Sequence, residues 1–117
     1  GLTDDAPTDS NEYGVKLDKN GYAPTLFPCE DDICYRCRST GLTVRHEIYG
    51  GALRSKSKQF GLWINVCPQC HAAIHKSGEK QDYYHRLGQY RAMAYYHWTV
   101  SDFRRRFYKN YLDITED

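Results

Sequence analysis

No apolar run in this 117-residue chain approaches the roughly 20 residues that a membrane-spanning helix requires. No apolar leader opens it, and no repeat or low-complexity tract interrupts it, so a secreted, membrane-bound or solenoid protein is not expected. The expected compartment is a reducing cytoplasm. Acidic residues are scarce where basic ones are dense: residues 33–112 hold fourteen Lys and Arg against four Asp and Glu. Residues 1–32 reverse this, with eight acidic and two basic side chains, and the last five residues carry three more acids. The formal charge of +1 is thus the sum of −6, +10 and −3. A central +10 is either a phosphate-binding surface or a solvated basic face covered by the acidic arm.

Five cysteines are present, and their spacing speaks for metal rather than for disulfides. Cys34 and Cys37 form one C-x-x-C pair and Cys67 and Cys70 a second. Each pair turns both sulfurs toward one point, and zinc takes four such thiolates tetrahedrally. These four are therefore the expected ligands of a structural Zn²⁺, and Cys29 is read as a spare thiol. A chain of this length buries a modest core, so a metal is a natural staple for it.

Three histidines are threaded through the same stretch. His71 follows the last cysteine and His75 stands four residues on, so on a helix the two imidazoles share a face. His46 joins them if the strand that carries it packs against that helix. His85 and His97 lack such a setting and are read as structural or surface residues.

The expected fold class is α+β, a small zinc-bound strand–strand–helix core with additional C-terminal helices. Residues 42–49 alternate as a strand, 52–58 form a polar basic loop and 59–66 a second strand. Pro68 marks a helix start and Gly78 its stop, giving a helix over 68–77. A second helix over 80–97 presents Tyr83, Leu87, Tyr90 and Ala94 as its apolar stripe. A short last helix is capped by Ser101, buries Phe103, Phe107 and Tyr111, and fans Arg104, Arg105, Arg106 and Lys109 outward. Residues 1–28 are expected as an acidic, partly disordered arm whose first 12 residues lack structure. Its second half drapes over the domain and buries Tyr22, Leu26 and Phe27. The metal-binding domain is assigned to 29–112 and a fraying acidic tail to 113–117.

The run His46-Glu47-Ile48-Tyr49-Gly50-Gly51, the basic loop, Gly61-Leu62-Trp63-Ile64-Asn65-Val66 and Cys67-Pro68-Gln69-Cys70-His71-Ala72-Ala73-Ile74-His75 resembles the HNH endonuclease family, the ββα-metal nucleases. The likeness covers about 34–77 and is nearest to small phage-type members with a four-cysteine zinc knuckle. It implies hydrolysis of phosphodiesters in DNA, in the host cytoplasm if the protein is phage-encoded. It also implies one catalytic divalent ion (Mn²⁺, Ni²⁺, Mg²⁺ or Zn²⁺) held by His46, His71 and His75. DNA is the expected partner, contacted by Arg45, Arg54, Lys56, Lys58, Arg104 and Arg105, and Asn65 is the candidate for the family's middle asparagine. The chain departs from the pattern at the base, where Glu47 stands in place of a histidine. In one register His46 binds the ion and Glu47 is the base; in the other His46 is the base. A catalytically degenerate zinc ribbon that only binds nucleic acid or protein accounts for the cysteines and the charge equally well. A third reading makes all seven residues, Cys34, Cys37, Cys67, Cys70, His46, His71 and His75, ligands of two structural zincs.

Overall fold

A computed structural model describes residues 9–115. Its order is β1 (Val44–Glu47), a 3-10 turn (Gly51–Leu53), α1 (Arg54–Gln59), β2 (Trp63–Val66), α2 (Pro68–His75), α3 (Gly78–Tyr96) and α4 (Val100–Phe107). The two strands form an antiparallel pair with Val44 opposite Val66, His46 opposite Ile64 and Glu47 opposite Trp63. Because side chains alternate along a strand, Val44, His46, Ile64 and Val66 share the inner face, and Arg45, Glu47, Trp63 and Asn65 the outer one. Among the described residues no helix is long and apolar enough to cross a membrane.

The strands are shorter than expected, and the expected basic loop is largely the helix α1. Its Arg, Lys and Gln side chains favour helix, and one buried serine docks it. Ser57 is fully buried and donates to the Tyr49 carbonyl at 2.8 Å while accepting from the Tyr49 amide at 3.0 Å. Gly61, at φ +73°, ends this segment and returns the chain into β2. A Cβ at Gly61 would stand 2.3 Å from the Pro24 carbonyl oxygen. Gly61→Ala is therefore expected to cost about 3 kcal/mol through clash and left-handed strain together. A urea midpoint equal to that of the unmodified chain would refute this.

α2 begins inside the second cysteine pair, with Pro68 at its first position and the Cys67 sulfur accepting from the Cys70 amide at 3.4 Å. Gly78 is not its stop: Ser77 caps a new helix by accepting from the Lys80 amide at 3.1 Å, and Gly78 is the first residue of α3. The apolar stripe of α3 also lies elsewhere. Tyr83, Tyr90 and Ala94 are exposed, and the buried positions are Tyr84, Gly88, Gln89 and Ala92. The reason is local geometry rather than hydropathy. Gly88 leaves room for Tyr49, whose hydroxyl would be 2.9 Å from a Cβ there. Gln89 is buried because it donates to Asn110 Oδ1 at 2.9 Å and accepts from the Tyr111 amide at 2.6 Å.

α4 is capped by Thr99, not Ser101, through a capping box with Asp102. Phe103 and Phe107 are fully buried and stack at 4.8 Å, with Tyr49, Phe60 and Trp98 around them. Arg106 does not fan outward; it pairs with Glu12 at 2.7 Å and covers the Trp98 ring at 4.5 Å.

That ion pair belongs to a strap over residues 9–27. Asn11 is buried and donates to the Gln59 carbonyl at 2.8 Å, and Tyr13 stacks on Tyr96 at 5.1 Å. Residues 9–12, for which the sequence predicts no structure, are therefore held; residues 1–8 and 116–117 lie outside the described residues. Further on, Ala23 donates to Lys58 and Leu26 to Gly61, each at 2.9 Å, and the Trp63 indole donates to the Ala23 carbonyl at 2.8 Å. Phe27 enters the core, while Tyr22 and Leu26 remain half-buried.

Candidate metal centres

The four paired cysteines converge. Their sulfurs all lie within 4.8 Å of one another, with Cys37 and Cys67 3.9 Å apart. Tetrahedral zinc with bonds of about 2.3 Å needs sulfurs roughly 3.8 Å apart, so the cluster fits a metal ion such as zinc. Both turns close the same way: the Cys37 amide donates to Cys34 Sγ and the Cys70 amide to Cys67 Sγ, each at 3.4 Å. The Tyr35 amide donates to the Asn65 carbonyl at 2.7 Å, which ties the first turn to β2. This is also where Asn65 stands, with its backbone anchoring the knuckle.

Arg36 donates to Cys70 Sγ at 3.4 Å, an outer contact that the spacing of the cysteines did not reveal. Burial raises the Cys34 thiol, but the amides of Cys37 and Cys67 outweigh it and bring it down to about 6. Burial, with the neighbouring thiols, pushes Cys70 up to about 12. Four thiols this close cannot all ionise until a cation offsets their repulsion. Cys29 is half-buried and stands outside the cluster.

A second cluster lies between the inner face of the hairpin and α2. His71 and His75, one turn apart, bring their Nε2 atoms to 3.1 Å. The His46 ring centroid lies 5.4 Å from each of theirs, and the ligand nitrogens of all three lie within 4.8 Å. His46 is almost fully buried, and burial, then the two neighbouring histidines, pushes it down to about 4. His71 is lowered by burial and then by His75. Neutral imidazoles with available lone pairs suit a borderline cation better than Mg²⁺, which prefers oxygen. Tetrahedral bonds of about 2.0–2.1 Å place nitrogens roughly 3.3 Å apart, close to the His71–His75 separation. Four sulfurs close a coordination shell, whereas three nitrogens leave it open, and that open position distinguishes the two clusters chemically.

Glu47 follows His46, and strand alternation sends it to the outer face. Its Oε2 accepts from the Tyr22 hydroxyl and its Oε1 from Arg54 Nε at 2.9 Å. Burial raises this carboxyl, but Tyr22 and Arg54 outweigh it and hold it below the usual range. Burial and Glu47 together push Tyr22 up to about 12. Tyr22, 25 residues away in the chain, carries no sequence signal linking it to Glu47.

The six expected DNA-contacting residues fall into two groups. Arg45, Arg54 and Lys58 gather on the outer face around Tyr22. Arg45 lies 4.4 Å from the centres of the Tyr22 and Trp63 rings, and Lys58 4.8 Å from Tyr22. Lys56 points the other way, donating to the Arg106 carbonyl at 2.9 Å at the end of α4. Arg104 and Arg105 are exposed on α4, the latter paired with Asp102 at 3.1 Å. Comparison with protein-family models, with curated proteins and with solved structures returned no match.

Proposed function

We propose that this chain is a divalent-metal-dependent endonuclease of the HNH, ββα-metal kind, hydrolysing phosphodiester bonds in duplex or branched DNA. The observation that carries the reading is the convergence of His46 from β1 with His71 and His75 from α2, beside a four-cysteine knuckle that fixes the start of α2. The resemblance of residues 34–77 to that family supports it, and the cationic outer face supplies charge for a phosphate backbone.

The three imidazoles would hold the exchangeable ion, whose contribution is to stabilise charge on the scissile phosphate and the leaving 3′-oxygen. The base is His46 or Glu47, one for each register that the sequence allows, and Glu47 stands on the face of β1 opposite the imidazoles. Glu47 is ionised, but both its oxygens are engaged, so it accepts a proton only when one partner leaves. Arg54 is that partner: its side chain is 65% exposed against 11% for Glu47, so it can transfer to an arriving phosphate. Tyr22 then keeps the carboxylate in place. Arg45 and Lys58 hold the flanking backbone.

The engaged oxygens of Glu47 are also what favours a second reading, a degenerate module that binds nucleic acid or a protein without cutting. Plasmid nicking decides between them. Conversion of supercoiled to nicked DNA is expected with Mn²⁺ or Ni²⁺, more slowly with Mg²⁺, and not at all once a chelator has removed the exchangeable ion. DNA binding without cleavage under any of these ions would leave the binding module.

A further inference from the structure

On the outer face, between the strap and the hairpin, lies a pocket of about 520 Å³. Leu17, Tyr22, Pro24 and Trp63 form its walls, and Lys16 and Arg45 bring two cations to it. The volume falls within the range of small-molecule sites, and the pocket has the composition of one, apolar walls with few polar groups. Arg45 is fixed there. Asp18 accepts from its Nη1 at 2.9 Å, and the Tyr22 and Trp63 rings lie 4.4 Å from its guanidinium carbon. Asp18 is fixed in turn, its Oδ1 accepting from the Asn20 and Tyr22 amides at 2.9 and 3.0 Å. A guanidinium set against two rings that meet at 75°, with apolar walls beside it, is a surface on which a planar heteroaromatic ring stacks.

We propose that this pocket receives one unpaired nucleobase of the DNA substrate, with the adjoining phosphates on Lys16, Arg45 and Lys58. The inference rests on the nuclease reading and narrows its substrate class to DNA with an extrahelical or unpaired base. Charge selects the occupant: Lys16, Arg45 and Lys58 outnumber Asp18, as a phosphate-bearing ligand requires. Continuity selects it too. Tyr22 is both a wall of the pocket and the donor to Glu47, so a strand anchored here runs on toward Glu47 and Arg54. A paired base has both faces covered by its neighbours in the stack, so only an unstacked base presents a face to this surface. A duplex must therefore give up stacking and pairing to use the pocket, whereas a bulge has already done so.

The test compares two duplexes of one sequence, one matched and one with a single extrahelical 2-aminopurine, bound without added divalent ion. The bulged duplex is expected to bind about tenfold tighter, with its 2-aminopurine fluorescence quenched on binding. Leu17→Trp, which fills the pocket from a half-buried position, is expected to remove the preference and leave matched-duplex affinity within about twofold. Lys16→Glu, at an exposed position, is the second variant, expected to weaken the bulged complex more than the matched one. Equal affinity for the two duplexes, or a preference that survives both substitutions, overturns the proposal. Because these readouts need no cleavage, the two readings fail separately. A bulge preference in a protein that cuts nothing removes the nuclease and keeps the pocket, while efficient cutting without the preference does the reverse.

Discussion

Replacing Cys70 by serine is expected to leave a chain that does not fold, and stripping the metal from the unmodified protein is expected to do the same. Cys70 is 5% exposed and sits both in the sulfur cluster and in the hydrophobic core. The cluster holds the turn at 34–37 to the first turn of α2, and that turn in turn bonds β2 through Tyr35 and Asn65. Structural zinc binding in small domains is worth on the order of 10–16 kcal/mol, as much as or more than the roughly 5–15 kcal/mol by which whole domains are stable. Serine keeps the size of the side chain and removes the thiolate, so the loss falls on the metal and not on packing. Circular dichroism and elemental analysis of zinc give the readouts, with Cys29→Ser as the control that changes neither. A folded Cys70→Ser variant with the stability of the parent, or pure parent protein without tightly held zinc, would remove the metal from the account of folding.

The parts of this fold that were legible in the sequence are those whose cause is local. A C-x-x-C turn closes on its own amide–sulfur bonds, and Pro68 after Cys67 starts a helix whatever surrounds it. The i, i+4 placement of His71 and His75 follows from that helix, and only the arrival of His46 needed the hairpin. What was not legible depended on partners far along the chain. α1 is polar and reads as a loop until Ser57 meets the Tyr49 backbone. The buried face of α3 is chosen by Gly88 and Gln89, one for its missing side chain beside Tyr49 and the other for partners around residue 110. A hydropathy stripe cannot see either, so it assigned Tyr83 and Tyr90 to the core. Residues 9–12 read as structureless because their acids and amide look solvent-bound, yet Asn11 and Glu12 find partners far along the chain, Gln59 and Arg106. The same limit hid the setting of Glu47, whose donors come from the strap and from α1.

Separating ion binding from proton transfer is the second large effect expected, and three variants do it. His75→Ala removes one of three imidazoles from the exposed end of α2, where little packing is lost. It should weaken binding of Mn²⁺ by at least about tenfold and reduce nicking accordingly, while the zinc content and the fold remain those of the parent. His46→Ala should lose ion affinity as well, and because His46 is buried it should also lower stability by about 1–3 kcal/mol. Glu47→Gln keeps the shape of the side chain and an acceptor for Tyr22 or Arg54, but it cannot take a proton. If Glu47 is the base, turnover should fall by about 10²–10⁴ with ion affinity unchanged, the range that a positioned base contributes. Calorimetric titration of the ion and single-turnover nicking on the same samples measure the two effects independently. The opposite split, with ion affinity kept and turnover lost in His46→Ala, would make His46 the base and leave two imidazoles on α2 to hold the ion. Full activity in both His46→Ala and Glu47→Gln would take the nuclease assignment away from this site, because these are the two residues to which the two registers assign the base.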